Sequence, residues 1–255
     1  MTLNTKVRLL QLANYVLSLI GLLYVFVTGQ YYWLYLTLLA WFIIGHVSTI
    51  ITLHRLLTHR SFKTYPWLEK VLSFITTYST VGPTISWVAL HRMHHQYSDK
   101  DNDPHSPYVN DKFNIKQATK VFIGYDWKIP NIPIKYVKDL MREPIHRFIF
   151  DNYFKIIFIT VMILFIINPL LVLFLYSLPA ALTVMVIGIV NTLGHSHGYR
   201  NHETTDHSTN SWIASIISLG EGWHNNHHAK PSNYYIGEKW YEVDLMGLII
   251  KLIRV

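Results

Sequence analysis

No aspartate, glutamate, lysine or arginine occurs in residues 9–54, a run of 46, or in residues 156–199, a run of 44. Roughly 20 apolar residues cross the hydrocarbon core of a bilayer as a helix, so each run holds two crossings and a turn. Thr28-Gly29-Gln30-Tyr31-Tyr32 breaks the first run and predicts spans near residues 9–27 and 33–53, flanked by aromatic residues suited to an interface. Asn168-Pro169 breaks the second and predicts spans near residues 154–167 and 170–193. The expected fold is an all-α integral membrane protein with four transmembrane helices in two hairpins, and residues 1–255 read as one membrane-bound domain. Charged residues make up only 15% of the chain, against about 25% in soluble domains, which argues against an ordinary soluble enzyme.

Lysine and arginine are distributed as 2 in residues 1–8, 15 in residues 55–155 and 5 in residues 200–255, with none in either short turn. By the positive-inside rule this multi-pass protein has both termini and its large central loop in the cytoplasm, in a bacterial inner membrane or the endoplasmic reticulum. The apolar run after Lys6 and Arg8 is too long for a cleaved signal and is expected to remain as the first span. Residues 71–90 also lack charge, but Ser73, Thr76, Thr77, Thr80 and Thr84 are polar and Gly82-Pro83 interrupts any helix. This segment is expected at the cytoplasmic interface or as a shallow re-entrant stretch, and residues 208–219 and 240–255 as interfacial helices. The net charge of +7 follows from the topology, and nothing beyond it points to nucleic acid.

With no cysteine in the chain, thiolate metal sites and cysteine nucleophiles are excluded, and histidine, with 15 copies, is left as the obvious metal ligand. His54 and His59 stand five apart where the second span ends. Five residues turn a regular helix by about 140°, so these rings converge only if the helix ends or distorts between them. His91, His94 and His95 stand at i, i+3 and i+4, on one face of a helix, and His224, His227 and His228 repeat that spacing. His195 follows the fourth span, with Asn191 one turn earlier on the same face. In the predicted topology all nine histidines reach one cytoplasmic surface; nine imidazoles exceed one mononuclear centre and suit two ions with open positions. Imidazole accepts zinc, copper, iron or nickel. Two-zinc hydrolases of polar substrates usually recruit carboxylates, whereas a histidine cluster beside apolar spans suits redox chemistry on an apolar chain, which favours two iron ions.

The order His54-x4-His59, His91-x-x-His94-His95 and His224-x-x-His227-His228, set between two apolar hairpins, resembles the membrane fatty acid desaturase family, particularly its delta-9, stearoyl-CoA desaturase-like branch. Residues 87–95 (WVALHRMHH), Asp103-Pro104-His105-Ser106-Pro107, residues 191–195 (NTLGH) and residues 220–231 (GEGWHNNHHAKP) extend the similarity, which covers roughly residues 33–240. The resemblance implies a four-span bundle with a cytoplasmic helical cap carrying the histidine boxes. It further implies a di-iron centre held by the nine histidines and by Asn191 through a water, with no catalytic residue beyond the metal ligands. Such an enzyme uses dioxygen and two external electrons to insert a cis double bond, expected at position 9, into a long saturated acyl chain lying in a hydrophobic tunnel. No His-Pro-Gly-Gly motif marks a fused haem domain, so the electron donor is expected to be a separate protein of ferredoxin or cytochrome b type.

The acyl carrier is the open point between acyl-lipid and acyl-CoA. Animal acyl-CoA desaturases carry an Arg-Asp pair just before the second box, where this chain has Ala89-Leu90; Arg55, Arg60 and Arg92 stand near the boxes as partial substitutes. The loop of residues 112–136, containing Trp127-Lys128-Ile129-Pro130, also departs from the animal pattern. Together these favour an acyl-lipid substrate. A membrane lipid or alkane hydroxylase is the alternative within the superfamily. A non-enzymatic metal carrier is the alternative outside it, although a carrier calls for polar groups within the spans, where they are nearly absent. His46, His146, His197, His202 and His207 fit no ligand spacing and are expected in structural or surface roles. His105, Glu221 and Asp206 are candidates to stand behind the ligand rings.

Overall fold

The computed structural model describes residues 1–123 and 133–255. Helix α1 (Leu3–Thr28) starts at Thr2, whose hydroxyl accepts from the Thr5 N–H at 3.2 Å, and stops at Gly29, whose φ of +69° favours glycine. After this tight turn, α2 (Tyr32–Thr58) changes pitch: from Phe42 onward it is wound as a π-helix. The Thr52 hydroxyl bonds the Val47 carbonyl at 2.9 Å and the Thr58 hydroxyl the Leu53 carbonyl at 2.7 Å, each reaching back five residues in step with the wider winding.

The uncharged stretch beginning at residue 71 does not form a fifth crossing. Helix α3 (Pro66–Ile75) and helix α4 (Thr84–Tyr97) have 10 and 14 residues, separated by one 3₁₀ turn and by left-handed residues at Thr80 and Gly82 before Pro83. The segment is packed into the protein: Thr76, Thr77, Ser79, Thr80, Thr84 and Ser86 are all buried, and the Thr80 carbonyl accepts from the Gln11 side chain at 2.8 Å. A small hairpin follows, β1 (Tyr108–Val109) against β2 (Lys112–Phe113), turned by Asn110 and Asp111 at positive φ. Helix α5 (Ile115–Ile123) completes this region; Trp127, Lys128, Ile129 and Pro130 of the departing loop lie outside the described residues.

Beyond α6 (Lys138–Arg142), helix α7 (Pro144–Ile167) begins ten residues before the span expected at residue 154. Its early charges Arg147, Asp151 and Lys155 recur every fourth residue on the exposed face, while His146, Ile149, Tyr153 and Ile157 form the buried stripe. Asn168 ends α7 and caps α8 (Pro169–Leu193) by accepting from the Leu170 N–H at 2.9 Å. Among the described residues, α1, α2, α7 and α8 are the four helices long and apolar enough to cross a bilayer. The two helices expected at interfaces appear as α9 (Trp212–Ser218) and, after α10 (His224–Ala229), α11 (Leu245–Ile253). Trp212, Ile213, Ile216, Leu248 and Leu252 leave an apolar face of each exposed.

Helix α8 is the axis of the bundle, with α1, α2 and α7 packed on it, while α1 and α7 turn Leu19, Phe26, Phe158 and Ile166 outward. The largest core cluster joins α2, α3 and α4 through Ile51, Leu53, Leu57, Leu72 and Val88, and takes in Met246 and Ile250 of α11. This core fixes the ends of α2, α4 and α8 beside α10, where the histidines meet.

Candidate metal centre

The wider winding of α2 answers the five-residue spacing of the first box. The His59 N–H donates to the His54 carbonyl at 3.1 Å, a π-type bond, and the two rings come to 4.8 Å between centroids. In α4 the three rings share one broad face, but i+3 lies about 100° round from i+4, so His91 and His95 lean to one side of that face and His94 to the other. Helix α10 repeats the device in mirror fashion. The outcome, among the described residues, is two groups whose nitrogens all lie within 4.8 Å of one another: His54, His59, His91, His95 and His227 in one, His94, His195, His224 and His228 in the other. All nine predicted histidines are therefore brought together.

The nitrogens are arranged for a cation. In the first group Nε2 of His227 meets Nε2 of His54 at 2.9 Å and of His95 at 3.1 Å, and His95 meets His91 at 3.3 Å. In the second, Nε2 of His224 meets those of His195 at 3.0 Å and His228 at 3.1 Å. His195 and His228 donate from Nδ1 to Asp99 at 2.8 Å and to Asp206 at 2.7 Å, so in their neutral forms both present an Nε2 lone pair to His224. His224 has one proton to offer two lone pairs, and a metal ion held by these three rings would relieve the repulsion that remains.

Burial keeps six of these rings in the form a metal needs. Desolvation, reinforced by the neighbouring rings, holds His59, His91, His95, His224 and His227 well below the ordinary imidazole value. Burial also brings His228 down to about 4, against the pull of Asp206. His94 is buried as well, yet the Asp103 carboxylate, 2.9 Å from its Nδ1, outweighs desolvation and raises it. Glu221 is 2.6 Å from Nδ1 of His54; burial works to raise its pKa, but Arg55 and His54 hold it at about 2.

The family model for fatty acid desaturase matches residues 31–244. The chain belongs to the fatty acid desaturase family. It is 33% identical over 245 residues to an sn-1 stearoyl-lipid 9-desaturase of Anabaena variabilis, covering 92% of this chain and 86% of that protein. It is 33% identical over 213 residues to delta-9 acyl-lipid desaturase 2 of Arabidopsis thaliana, covering 83% and 69%. A third relative, the acyl-CoA 5-desaturase AL21 of Anemone leveillei, is 32% identical over 229 residues, covering 88% and 68%. The chain is thus a membrane enzyme of the oxidoreductase class that acts as a fatty acid desaturase.

In this desaturase a cavity bounded by α2, α4 and α8 reaches both histidine groups. Thr49, Ile50, Trp87, Val186, Ile187 and Val190 form its largely apolar wall, and His54, His91, His224 and Asn191 stand at its histidine end. Asn191 donates to the Ile187 carbonyl, one turn earlier in α8, at 2.9 Å. The histidines set aside from the sequence stay out of both groups. His46 is buried in α2 with Nε2 at 3.2 Å from the Ile217 carbonyl, His146 bonds Thr84 at 3.1 Å, and His202 pairs with Glu238 at 2.8 Å. His197 is exposed beside Ser196, and His207 stacks on Tyr108. His105 is buried with its ring 5.6 Å from that of His94, and burial brings it down to about 3.

Glu221 and Asp206 do stand behind rings of the two groups, His54 and His228, but Asp99 and Asp103 stand behind His195 and His94 in the same way and were not singled out for it. Asp103 lies in the quoted Asp-Pro-His-Ser-Pro string; Asp99 offered no local signal. Asn225 and Asn226, between the third-box histidines, lock the loops around α10. Asn225 Oδ1 accepts from the N–H groups of Asn201 and His202, both at 2.8 Å, while Asn226 donates to the Ile236 carbonyl at 2.9 Å.

Of the three arginines considered for a headgroup, Arg55 and Arg92 are committed inside the protein, whereas Arg60 is exposed and pairs at the surface. Arg55 is 1% exposed and bonds Glu221, Asp244 at 2.7 Å and the Tyr234 carbonyl at 2.8 Å. Arg92 forks onto Asp139 at 2.8 and 2.9 Å and caps the carbonyls of Leu57 and Thr58. Arg60 pairs with Glu69 at 3.0 Å and Asp139 at 3.4 Å. Ala89 and Leu90 are buried in the core.

Proposed function

We propose that the protein is a delta-9 acyl-lipid desaturase with two iron ions, one held by His54, His59, His91, His95 and His227 and the other by His94, His195, His224 and His228, with Asn191 acting through a water. The observation that carries this reading is the convergence of nine imidazoles into two groups at the end of an apolar cavity. Iron is favoured over zinc by the family's redox reaction and by an all-imidazole inner set. When bound, such a pair supplies the dioxygen activation needed to remove two hydrogens from an acyl chain. The protein's own contribution is positional. Trp87, Ile50, Val186 and Val190 offer an apolar wall that excludes water and holds a methylene pair toward the histidines, and the carboxylates behind His54, His94, His195 and His228 fix the rings.

The lipid carrier is supported by the names of the cyanobacterial and Arabidopsis relatives and by the internal commitment of Arg55 and Arg92, which leaves those two forks unavailable to phosphates of coenzyme A. The distribution of lysine and arginine supports two hairpins, α1–α2 and α7–α8, with both termini and the histidine-bearing helices as a cytoplasmic cap. Electrons then come from a separate ferredoxin-type or cytochrome b-type protein on that side. Reconstituted enzyme offered a stearoyl phospholipid and stearoyl-CoA separately, with reduced donor, is expected to form a cis double bond at position 9 of the lipid-bound chain. Conversion of the CoA ester alone would reverse the carrier, and a hydroxylated product would replace desaturation by hydroxylation.

A further inference from the structure

The two histidine groups are backed unequally. In the four-histidine group three rings have a carboxylate on Nδ1: His94 with Asp103 at 2.9 Å, His195 with Asp99 at 2.8 Å and His228 with Asp206 at 2.7 Å. In the five-histidine group, among the described residues, only His54 has one, Glu221 at 2.6 Å, and that carboxylate also receives the Arg55 guanidinium. The three aspartates are themselves fixed. Asp99 accepts from the His207 N–H at 2.8 Å and the Ser106 hydroxyl at 3.1 Å, and Asp103 from the N–H groups of Asp99 at 2.9 Å and His105 at 2.8 Å. Asp206 accepts from the Ser208 N–H at 3.0 Å and from the Ser208 and Thr204 hydroxyls, both at 2.6 Å.

We propose that Asp99, Asp103 and Asp206 are positioning residues that make the four-histidine group the tighter of two metal positions, so that the ion of the five-histidine group leaves first. This rests on the dinuclear reading above. A carboxylate accepting from Nδ1–H fixes the ring's direction and strengthens Nε2 as a donor, and loss of such a partner typically lowers metal affinity by about 10–100-fold. Three buried anions also attract a doubly charged ion directly, whereas Glu221 is offset by Arg55. The extra ring of the five-histidine group works the other way; the two additional carboxylates, each at about 10–100-fold, decide the order.

The test is stepwise chelation of the iron-loaded, full-length protein in detergent, with iron per chain read by elemental analysis. The wild type is expected to release iron in two steps, with a plateau near one ion per chain. Asp99→Asn is the sharpest variant: its carbonyl can still accept from His195, and its amide can donate to the Ser106 hydroxyl, so the contacts persist while the charge is lost. It should weaken the second step by about 10–100-fold and leave the first unmoved, whereas Glu221→Gln should move the first step. Asp206→Asn provides a second removal of charge from the same group should Asp99→Asn fail to fold. Release of both ions together, a second step indifferent to Asp99→Asn and Asp206→Asn, or a second step moved by Glu221→Gln would overturn the proposal while leaving two irons per chain intact. Loaded protein that never holds more than one iron would instead remove the dinuclear reading, and the proposal with it.

Discussion

His227 closes the five-histidine group, its Nε2 standing 2.9 Å from that of His54 and 3.1 Å from that of His95. His227→Ala is expected to reduce the iron content to about one ion per chain and to lower desaturation by at least about 100-fold, the upper end of what losing a mere partner of a ligand costs. Membrane insertion should persist, because the residue lies in α10. His202 is only two dozen positions away but pairs with Glu238 at the surface, and an exposed pair contributes little. Activity of His202→Ala should stay within about twofold of wild type, a prediction drawn from that weak contribution. Lipid profiles of an expressing host check both; an inactive His202→Ala beside a near-native His227→Ala would contradict the ligand assignment. Spacing alone separates these two residues, which is why the boxes were legible in the sequence: i, i+3 and i+4 is a local pattern. Asp99 was not legible as the partner of His195, because 96 positions separate them and only the fold brings them together.

Arg55 ties three elements together, joining α2 to Glu221 before α10 and to Asp244, the N-cap of α11 whose carboxylate accepts from the Gly247 N–H at 2.9 Å. Arg55→Met leaves two carboxylates buried without their cation, and breaking a buried pair in this way costs about 3–5 kcal/mol. Thermal unfolding of the purified variant should show a markedly lower midpoint, whereas an unchanged midpoint would mean that this network carries no stability. From the sequence the same arginine looked available to a headgroup, since charge beside a histidine box says nothing of burial. Element pitch was partly legible: His54 and His59 demanded that the helix end or distort between them, but the sequence did not say that the π winding runs from Phe42 to Thr58. The start of α7 was hidden because Arg147, Asp151 and Lys155 break the charge-free run, although their fourfold spacing belongs to one exposed helical face.

For the molecule as a whole, the four long helices were readable because a charge-free run of sufficient length has few other uses, while their packing around α8 was not. The same count of lysine and arginine predicts sidedness. Tags at both termini and at Asn110 should report the cytoplasm and a tag at Gly29 the opposite side; protease protection grouping Asn110 with Gly29 would separate the central loop from the face on which the histidines must meet. That meeting is the central claim, and iron content measured on active, purified enzyme tests it most directly. Two groups of converging imidazoles predict close to two irons per chain. A single ion per chain, or stoichiometric zinc with full activity, would contradict the account.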